Sequence, residues 1–224
     1  MFAAFAPDEG MRLYGRGIRR RLPTMLGDDR AVRLVYTLMF SLPGCPVLFY
    51  GEEIGMGEAL EVPGRYAVRT PMQWEPDASG GFSTAPQRRW TRPMPGGELG
   101  PQRVNVADQQ RDPTSLWRHI QQLTDLYRDT PELAWADLEV IGLRQRSVLA
   151  HVCRGDDWTM LALHNLGDER SAVRLELSAD GPVTLVDRFD GSTITVDGML
   201  ELELDPYGWR WLLVTPADAT IRRV

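Results

Sequence analysis

The sequence predicts an α/β region followed by an all-β region, on the evidence of three features. Residues 29–41 carry apolar side chains at helical spacing. The run PVLFYG at residues 46–51 is apolar on both faces, which suits a strand buried in a parallel sheet. Beyond Trp135, short stretches of alternating apolar and polar residues are separated by Gly and Asp, which is typical of an antiparallel sandwich or barrel. We therefore expect two domains, residues 1–134 and residues 135–224.

The elements of the α/β region have recognisable boundaries. Asp28 or Asp29 can cap the first helix, and Leu-Pro-Gly at residues 42–44 ends it. Helix, tight loop, buried strand and further loop make one piece of an α/β repeat. A second helix is predicted within SLWRHIQQLTDLYRDTPEL, capped by Ser115 or Thr114 and ended by a proline. Its apolar face consists of Leu116, Ile120, Leu123 and Leu126.

The all-β region contains seven candidate strands. They are short runs of alternating apolar and polar residues, divided from one another by Gly and Asp turns. In chain order they are SVLAHVCRG, WTMLALHNLG, SAVRLELSADG, VTLVDRFDG, STITVDG, MLELELDPYG and WRWLLV.

The composition excludes several classes of partner. The 224 residues carry a net charge of −6 with a pI near 5.2, which argues against nucleic acid and anionic membranes. The basic stretch RGIRRRL at residues 16–22 is the local exception, and we expect it to be a solvated helix face or a set of charges at the rim of a barrel. The N-terminus lacks the pattern of a signal peptide, and the longest apolar run, LVYTLMFSL, is too short to cross a bilayer. We expect a cytoplasmic protein.

The cysteines and histidines show no metal or cofactor pattern. Cys45 and Cys153 lie far apart, and Cys45 falls beside the predicted buried strand, so we expect a buried free thiol rather than a disulfide or a metal ligand. His119 lies on the second helix, whereas His151 and His164 lie in different strands. Since none has metal-ligand spacing, we predict no metal site, and we expect His151 and His164 to be structural.

Two adjacent carboxylates, Glu52 and Glu53, follow the predicted parallel strand, where barrel enzymes place catalytic groups. Adjacent residues of an extended chain point to opposite sides, so this pair cannot serve one substrate bond as acid and nucleophile. We expect instead a carboxylate that holds the end of the strand through arginine or backbone N–H groups.

The long loop over residues 54–106 is the strongest candidate for a binding site, because it lacks periodicity yet is rich in arginine and aromatic residues. In its segment RYAVRTPMQW, Arg65 and Arg69 supply forked donors and Gln73 supplies an amide. Flat apolar faces come from Trp74, Phe82 and Trp90. A pyranose sugar needs this mixture, so we predict a small-sugar site. The alternative is an ordered loop that packs its own arginines and aromatics.

Five stretches of the chain carry a family resemblance. They read MFSLPGCPVLFYGEEIGMGE, AVRTPMQWEPDASGGFSTAP, VNVADQQRDPTSL, the opening FAPDEGMRLYGRGIRRRLPTMLGDD and the ending LDPYGWRWLLV. They resemble the α-amylase superfamily, and within it the branch of trehalose synthases and α-glucosidases. The opening stretch is similar to the trehalose synthases.

That resemblance implies a retaining (β/α)8 TIM barrel enzyme with an aspartate nucleophile, a glutamate acid/base and a second aspartate that binds the distorted sugar. In trehalose synthases, glucose freed from maltose turns within the closed site and is joined again through its anomeric hydroxyl, without an external cofactor. The three carboxylates lie on barrel strands that precede the stretch matching FAPDEG. The resemblance thus implies that this chain holds the last barrel strand and helices plus the sandwich domain, and no catalytic residue.

The resemblance also bears on the sugar site. Arg65 and Arg69 match family arginines, one of which is expected to hold the glucose beside the nucleophile. Gln73 is the third predicted substrate-binding residue. Tyr66 stands where the family has aspartate, and we expect the loss of that carboxylate to loosen the arrangement.

Three interpretations stay open at this point. The chain is part of an enzyme that isomerises maltose to trehalose, part of an α-glucosidase, or a non-catalytic sandwich module that docks onto a partner. Because one strand cannot close a barrel, and PVLFYG would have two open edges, the expected protein partner is the missing part of the barrel or a second copy of the chain.

Overall fold

The computed structural model describes residues 1–224 as two compact units. The first comprises residues 1–32 and 47–122, and the second comprises residues 33–46 and 123–224. The helices are α1 (Phe2–Phe5), α2 (Leu22–Leu26), α3 (Asp29–Phe40), α4 (Val106–Arg111) and α5 (Leu116–Arg128). The strands are β1 (Arg12–Leu13), β2 (Gly17–Ile18), β3 (Asp137–Ile141), β4 (Val148–Arg154), β5 (Thr159–Asn165), β6 (Ser171–Ser178), β7 (Val183–Asp187), β8 (Thr193–Val196), β9 (Gly198–Leu204), β10 (Trp209–Thr215) and β11 (Thr220–Arg223). No helix has the length and apolar character that crossing a membrane requires.

The second unit contains two antiparallel sheets. The larger sheet has the order β3-β4-β5-β10-β7-β8, and the smaller has the order β11-β6-β9. Strand β6 alternates strictly between buried and exposed residues, because one of its faces meets the core and the other meets water. Side chains from both sheets, including Leu163, Leu175 and Leu212, form one apolar core. The predicted antiparallel sandwich is confirmed, and all seven predicted strands are present.

Two strands of this unit escaped prediction. Strand β3 lies at the sheet edge with Leu138 and Val140 exposed, so its apolar residues do not mark a buried face. Strand β11 has a single buried apolar residue, Ile221, among polar neighbours. Both are short edge strands, which depend on pairing with a neighbour rather than on their own pattern.

Two buried histidines of the second unit stack on each other. The rings of His151 and His164 are nearly parallel, with centroids 5.6 Å apart. Nε2 of His151 lies 3.1 Å from the carbonyl oxygen of Ser41. Burial lowers the pKa of His151. Burial, together with the neighbouring His151, lowers the pKa of His164 to about 3. The pair is therefore neutral in the folded protein at neutral pH.

We expect acid to destabilise the second unit between about pH 6.5 and pH 3. Within this window His164 binds a proton only in the unfolded chain. The free energy of unfolding therefore has its highest value above pH 6.5 and decreases as the pH is lowered. The slope contributed by one such histidine is at most about 1.4 kcal/mol per pH unit. Urea unfolding at several pH values measures it, and His164→Phe should flatten the slope. An equal slope in the variant would contradict this role.

Buried arginines, rather than a sheet, organise the first unit. Arg19 and Arg21 are only 9% and 5% exposed. Arg21 donates from Nη1 to the carbonyl of Tyr50 (3.0 Å) and from Nη2 to that of Val68 (2.7 Å). Arg19 donates to the carbonyl of Leu60 (3.0 Å). The predicted solvated face is thus wrong for these two residues. The terminal guanidinium nitrogens thus donate to carbonyls of a segment that forms no sheet, whereas Nε of Arg19 has no hydrogen-bond partner.

Glu58 holds the arginine segment in place. Its side chain is 5% exposed and accepts from Nε of Arg20 at 3.3 Å. It also accepts from the Thr24 hydroxyl at 2.7 Å and from the backbone N–H of Arg21 at 3.0 Å. These three donors share one buried carboxylate, which fixes residues 20–24 against residue 58.

The predicted strand over residues 46–51 is not formed. These residues have no ladder partner, and Val47 is 77% exposed while Phe49 and Tyr50 are about two-fifths exposed. A strand exists only where a neighbour pairs with its backbone, and no segment of this chain pairs with this one. The prediction of burial is also wrong for Cys45, which is exposed for the same reason. Both cysteines are free, and Cys153 is the buried one.

Candidate functional site

A cleft of about 670 Å³ opens in the first unit. Two stretches of the long loop line it, one within residues 69–74 and the other within residues 82–92. Tyr50 and Glu53 complete the lining. The cleft therefore lies in the loop that the sequence singles out as a binding site.

The backbone that carries Arg69 is held at four consecutive carbonyls. The carbonyl of Ala67 accepts from the Ala59 N–H at 2.9 Å, and that of Val68 accepts from Arg21. The next two carbonyls along the chain also accept hydrogen bonds. The Arg69 carbonyl accepts from Nη1 of Arg92 at 3.1 Å, and the Thr70 carbonyl accepts from the Tyr50 hydroxyl at 2.8 Å.

The Arg69 side chain lies at the cleft. No hydrogen bond or ion pair joins its guanidinium to the rest of the chain, and the residue is half-buried in the lining. Arg69 thus combines a fixed backbone with guanidinium donors that have no partner in the chain. Such a group can donate two parallel hydrogen bonds to a ligand.

Three aromatic residues supply flat surfaces in the same lining. Trp74 and Phe82 are 49% and 50% exposed. The rings of Phe82 and Trp90 meet edge to face, with centroids 5.6 Å apart, and the Trp90 indole N–H donates to the Ala85 carbonyl at 3.0 Å. The Trp74 N–H donates to the Gly80 carbonyl at 2.7 Å, which closes the turn between the two stretches. These contacts position aromatic faces that stay accessible.

Gly80 is required by that turn. Its φ is +59°, and a Cβ at this position would lie 2.5 Å from the Met94 methyl carbon. The Met94 methyl group is the end of a flexible side chain and can move, so the left-handed backbone is what favours glycine on the path between Trp74 and Phe82.

The structure brings together only some of the predicted site residues. Arg69 lies in the cleft with the three aromatic residues, whereas Arg65 is exposed and outside the lining. Gln73 is fully buried and also outside it. Its Nε2 donates to the carbonyls of Leu99 (3.2 Å) and Val104. The substrate-binding roles of Arg65, Arg69 and Gln73 stay predictions.

Four charged or aromatic residues of the lining were not predicted as site residues. They are Tyr50, Glu53, Arg89 and Arg92. Arg89 and Arg92 flank Trp90 in sequence, and that proximity of arginine to an aromatic residue is the signal that could have identified them. Tyr50 could not be identified from the sequence, because the apolar run at residues 46–51 predicts a buried strand there.

The two adjacent glutamates have separate roles in the structure. They belong to a short 3-10 turn, Glu52–Ile54. Glu52 accepts from the backbone N–H of Phe49 at 2.9 Å, as expected of a carboxylate that holds the end of the 46–51 segment. Glu53 is the one carboxylate in the cleft lining, beside three arginines. Hydrolysis of a glycosidic bond needs two carboxylates, so this cleft lacks an acid–nucleophile pair.

Comparisons with known proteins identify relatives of both parts of the chain. Residues 19–136 match the α-amylase catalytic domain family, and residues 158–213 match a sucrose hydrolase-like C-terminal domain. The trehalose synthase/amylase of Mycobacterium tuberculosis is 41% identical over 182 residues, which is 79% of this chain and 30% of that protein. The trehalose synthase of Pimelobacter sp. is 34% identical over 232 residues, which is 100% of this chain and 40% of that protein. The chain thus spans less than half the length of these relatives.

Solved structures support the fold. The inactive double mutant of the trehalulose synthase MutB, determined with isomaltulose, superposes with a TM-score of 0.69 at 22% identity. The superposition covers 88% of this chain and 41% of that one. The predicted combination, the end of a TIM barrel followed by a β-sandwich, is confirmed. Motifs, fold and family match lead to one conclusion: the chain belongs to the α-amylase family.

Proposed function

We propose that the cleft binds a small α-linked sugar, with Arg69 as the hydrogen-bonding group and the aromatic residues as the platform. The observation that carries this proposal is the placement of an unpaired guanidinium on a fixed backbone beside Trp74, Phe82 and Trp90. Arginine donates two parallel hydrogen bonds to neighbouring hydroxyls, and aromatic faces cover the C–H face of a pyranose. Arg65 and Gln73 are proposed to assist from outside the lining.

Within the longer enzyme we propose that this site helps to isomerise maltose to trehalose by intramolecular glucosyl transfer. The names of the relatives support this activity, since trehalose synthases match over 79% to 100% of the chain. The chain alone is proposed to be catalytically incomplete, because its cleft has one carboxylate. An α-glucosidase of Culex pipiens, 35% identical over 153 residues, makes hydrolysis the second candidate.

The domain organisation is part of the same proposal. We place the end of the barrel in residues 1–134 and the sandwich domain in residues 135–224. The family matches support this division, because one ends at residue 136 and the other begins at residue 158. The proposed protein partner is the part of the barrel that carries the missing carboxylates.

Replacing Arg69 with glutamine is expected to weaken maltose binding roughly 10- to 100-fold, because hydrogen bonds to a charged donor contribute about 1.5–3 kcal/mol. Titration of the purified chain with maltose, followed by tryptophan fluorescence, measures the affinity. Arg103→Gln is the matched control, since Arg103 is exposed and lies outside the cleft lining. Equal affinities for the wild-type chain and the Arg69 variant would refute the assigned role.

The activity is tested on the native protein from its source cells, isolated with an antibody against residues 135–224. We expect a species heavier than 25.3 kDa that converts maltose to trehalose. Release of two glucose molecules instead would establish the α-glucosidase alternative. Turnover by a species of 25.3 kDa would contradict the proposal that this chain is incomplete.

A further inference from the structure

We propose that Tyr66 and Arg92 are positioning residues, whose stack joins the two stretches that line the cleft and thereby orients Arg69. The inference rests on the proposed function of the cleft as a sugar site. Neither a family match nor the sequence pattern assigns a role to either residue. The proposal comes from two contacts that Arg92 makes at once.

The first contact is with an aromatic ring. The guanidinium carbon of Arg92 lies 4.3 Å from the centroid of the Tyr66 ring, well inside the range of about 6 Å for a cation–π interaction. Tyr66 is 41% exposed and does not line the cleft. The ring therefore supports the guanidinium from behind the site instead of competing for ligand.

The second contact is with the backbone of the sugar-binding stretch. Nη1 of the same guanidinium donates to the Arg69 carbonyl at 3.1 Å. Because Arg92 belongs to the 82–92 stretch and Arg69 to the 69–74 stretch, this hydrogen bond connects the two stretches. With the stack in place, the guanidinium keeps one orientation, and the carbonyl of Arg69 has a fixed donor.

Tyr66 also bears on an expectation drawn from the sequence. Its replacement of an aspartate was expected to loosen the loop, but the ring provides a different attachment. A carboxylate would hold an arginine by an ion pair, whereas the tyrosine ring holds Arg92 by its face. In this proposal, the tyrosine keeps a contact to an arginine but replaces the ion pair with a cation–π contact.

The stack also reaches the aromatic platform. Arg92 lies two residues beyond Trp90, whose N–H donates to the Gln87 carbonyl at 2.9 Å. The neighbouring Arg89 N–H donates to the Pro86 carbonyl at 2.8 Å. These two hydrogen bonds close a short turn, and anchoring Arg92 restrains the end of that turn. Loss of the stack should therefore expose both amides to exchange more often.

The test compares Tyr66→Leu, which removes the ring, with Tyr66→Phe, which keeps it. Tyr66→Leu is expected to weaken maltose binding roughly two- to fivefold and to speed hydrogen exchange at the Arg89 and Trp90 amides by a similar factor. Tyr66→Phe should match the wild-type chain in both measurements. In an Arg92→Leu background, Tyr66→Leu should cause no further increase in exchange, since the stack is already absent.

The two readouts separate this inference from the proposed function. If the wild-type chain fails to bind maltose, the proposed function is wrong, and the exchange rates still decide whether the stack restrains the turn. If the wild-type chain binds maltose while Tyr66→Leu leaves affinity and exchange unchanged, the positioning role is overturned. Equal effects of Tyr66→Leu and Tyr66→Phe would also overturn it, because the ring would then be irrelevant.

Discussion

Replacing Glu58 with alanine is expected to lower the free energy of unfolding of the first unit by about 3–5 kcal/mol, because it leaves a buried cation without its counter-charge. The Glu58 side chain is 5% exposed and that of Arg20 is 15% exposed, so water screens this pair weakly. The same carboxylate accepts from the Thr24 hydroxyl and from the backbone N–H of Arg21, and both donors lose this acceptor in the variant.

The loss of Glu58 should also reach the cleft. Arg21 bonds the carbonyls of Tyr50 and Val68, which lie beside the lining stretch that carries Arg69. We therefore expect weaker maltose binding together with the lower stability. Glu58→Gln keeps a hydrogen-bond acceptor and the shape of the side chain, so it should lower stability and maltose binding by less than Glu58→Ala does.

Hydrogen exchange of residues 47–70 under increasing urea measures the stability of this region. Glu61→Ala is the matched control, because Glu61 lies three residues away and is exposed. We expect the control to change stability by less than about 0.5 kcal/mol. A similar stability for Glu58→Ala and Glu61→Ala would show that the buried carboxylate does not hold the arginine segment.

Truncating Leu175 to alanine is expected to lower the free energy of unfolding of the second unit by about 2–5 kcal/mol. Leu175 is fully buried, and it lies on β6 in the core formed by both sheets. The cost combines lost burial with the cavity left behind, since a core between two sheets collapses only in part.

Urea unfolding followed by circular dichroism in the β-sheet region measures this loss. Leu166→Ala removes the same atoms from a side chain that is 49% exposed, and it should cost less than half as much. Comparable losses for Leu166→Ala and Leu175→Ala would mean that the two sheets do not share the described core.

Strong local patterns made much of the fold predictable. Helix α3 follows the predicted helix closely, because its apolar spacing and its Leu-Pro-Gly stop lie within one stretch of chain. The seven strands of the sandwich have alternating residues and Gly or Asp turns, and each formed where its pattern lies. Arg69 and its aromatic neighbours were identified because their residue types are unusual together in one loop.

Features that depend on distant partners were not predictable. Residues 46–51 have the composition of a buried strand, yet they form none, because backbone pairing comes from a neighbour rather than from the strand itself. The sequence pattern predicts that Arg19 and Arg21 are exposed to solvent. Only the folded chain brings carbonyls from residues 50–68 within reach of their donors.

The sequence by itself determined the family resemblance, the sandwich and the choice of the loop over residues 54–106 as the candidate binding site, since each rests on residues close together in the chain. Only the tertiary structure decided which residues line the cleft. It buried Gln73, placed Arg65 outside the lining and set Arg92 between Tyr66 and the Arg69 carbonyl. The physical reason is that direction and contact of a loop side chain depend on hydrogen bonds from remote segments, which no local pattern encodes.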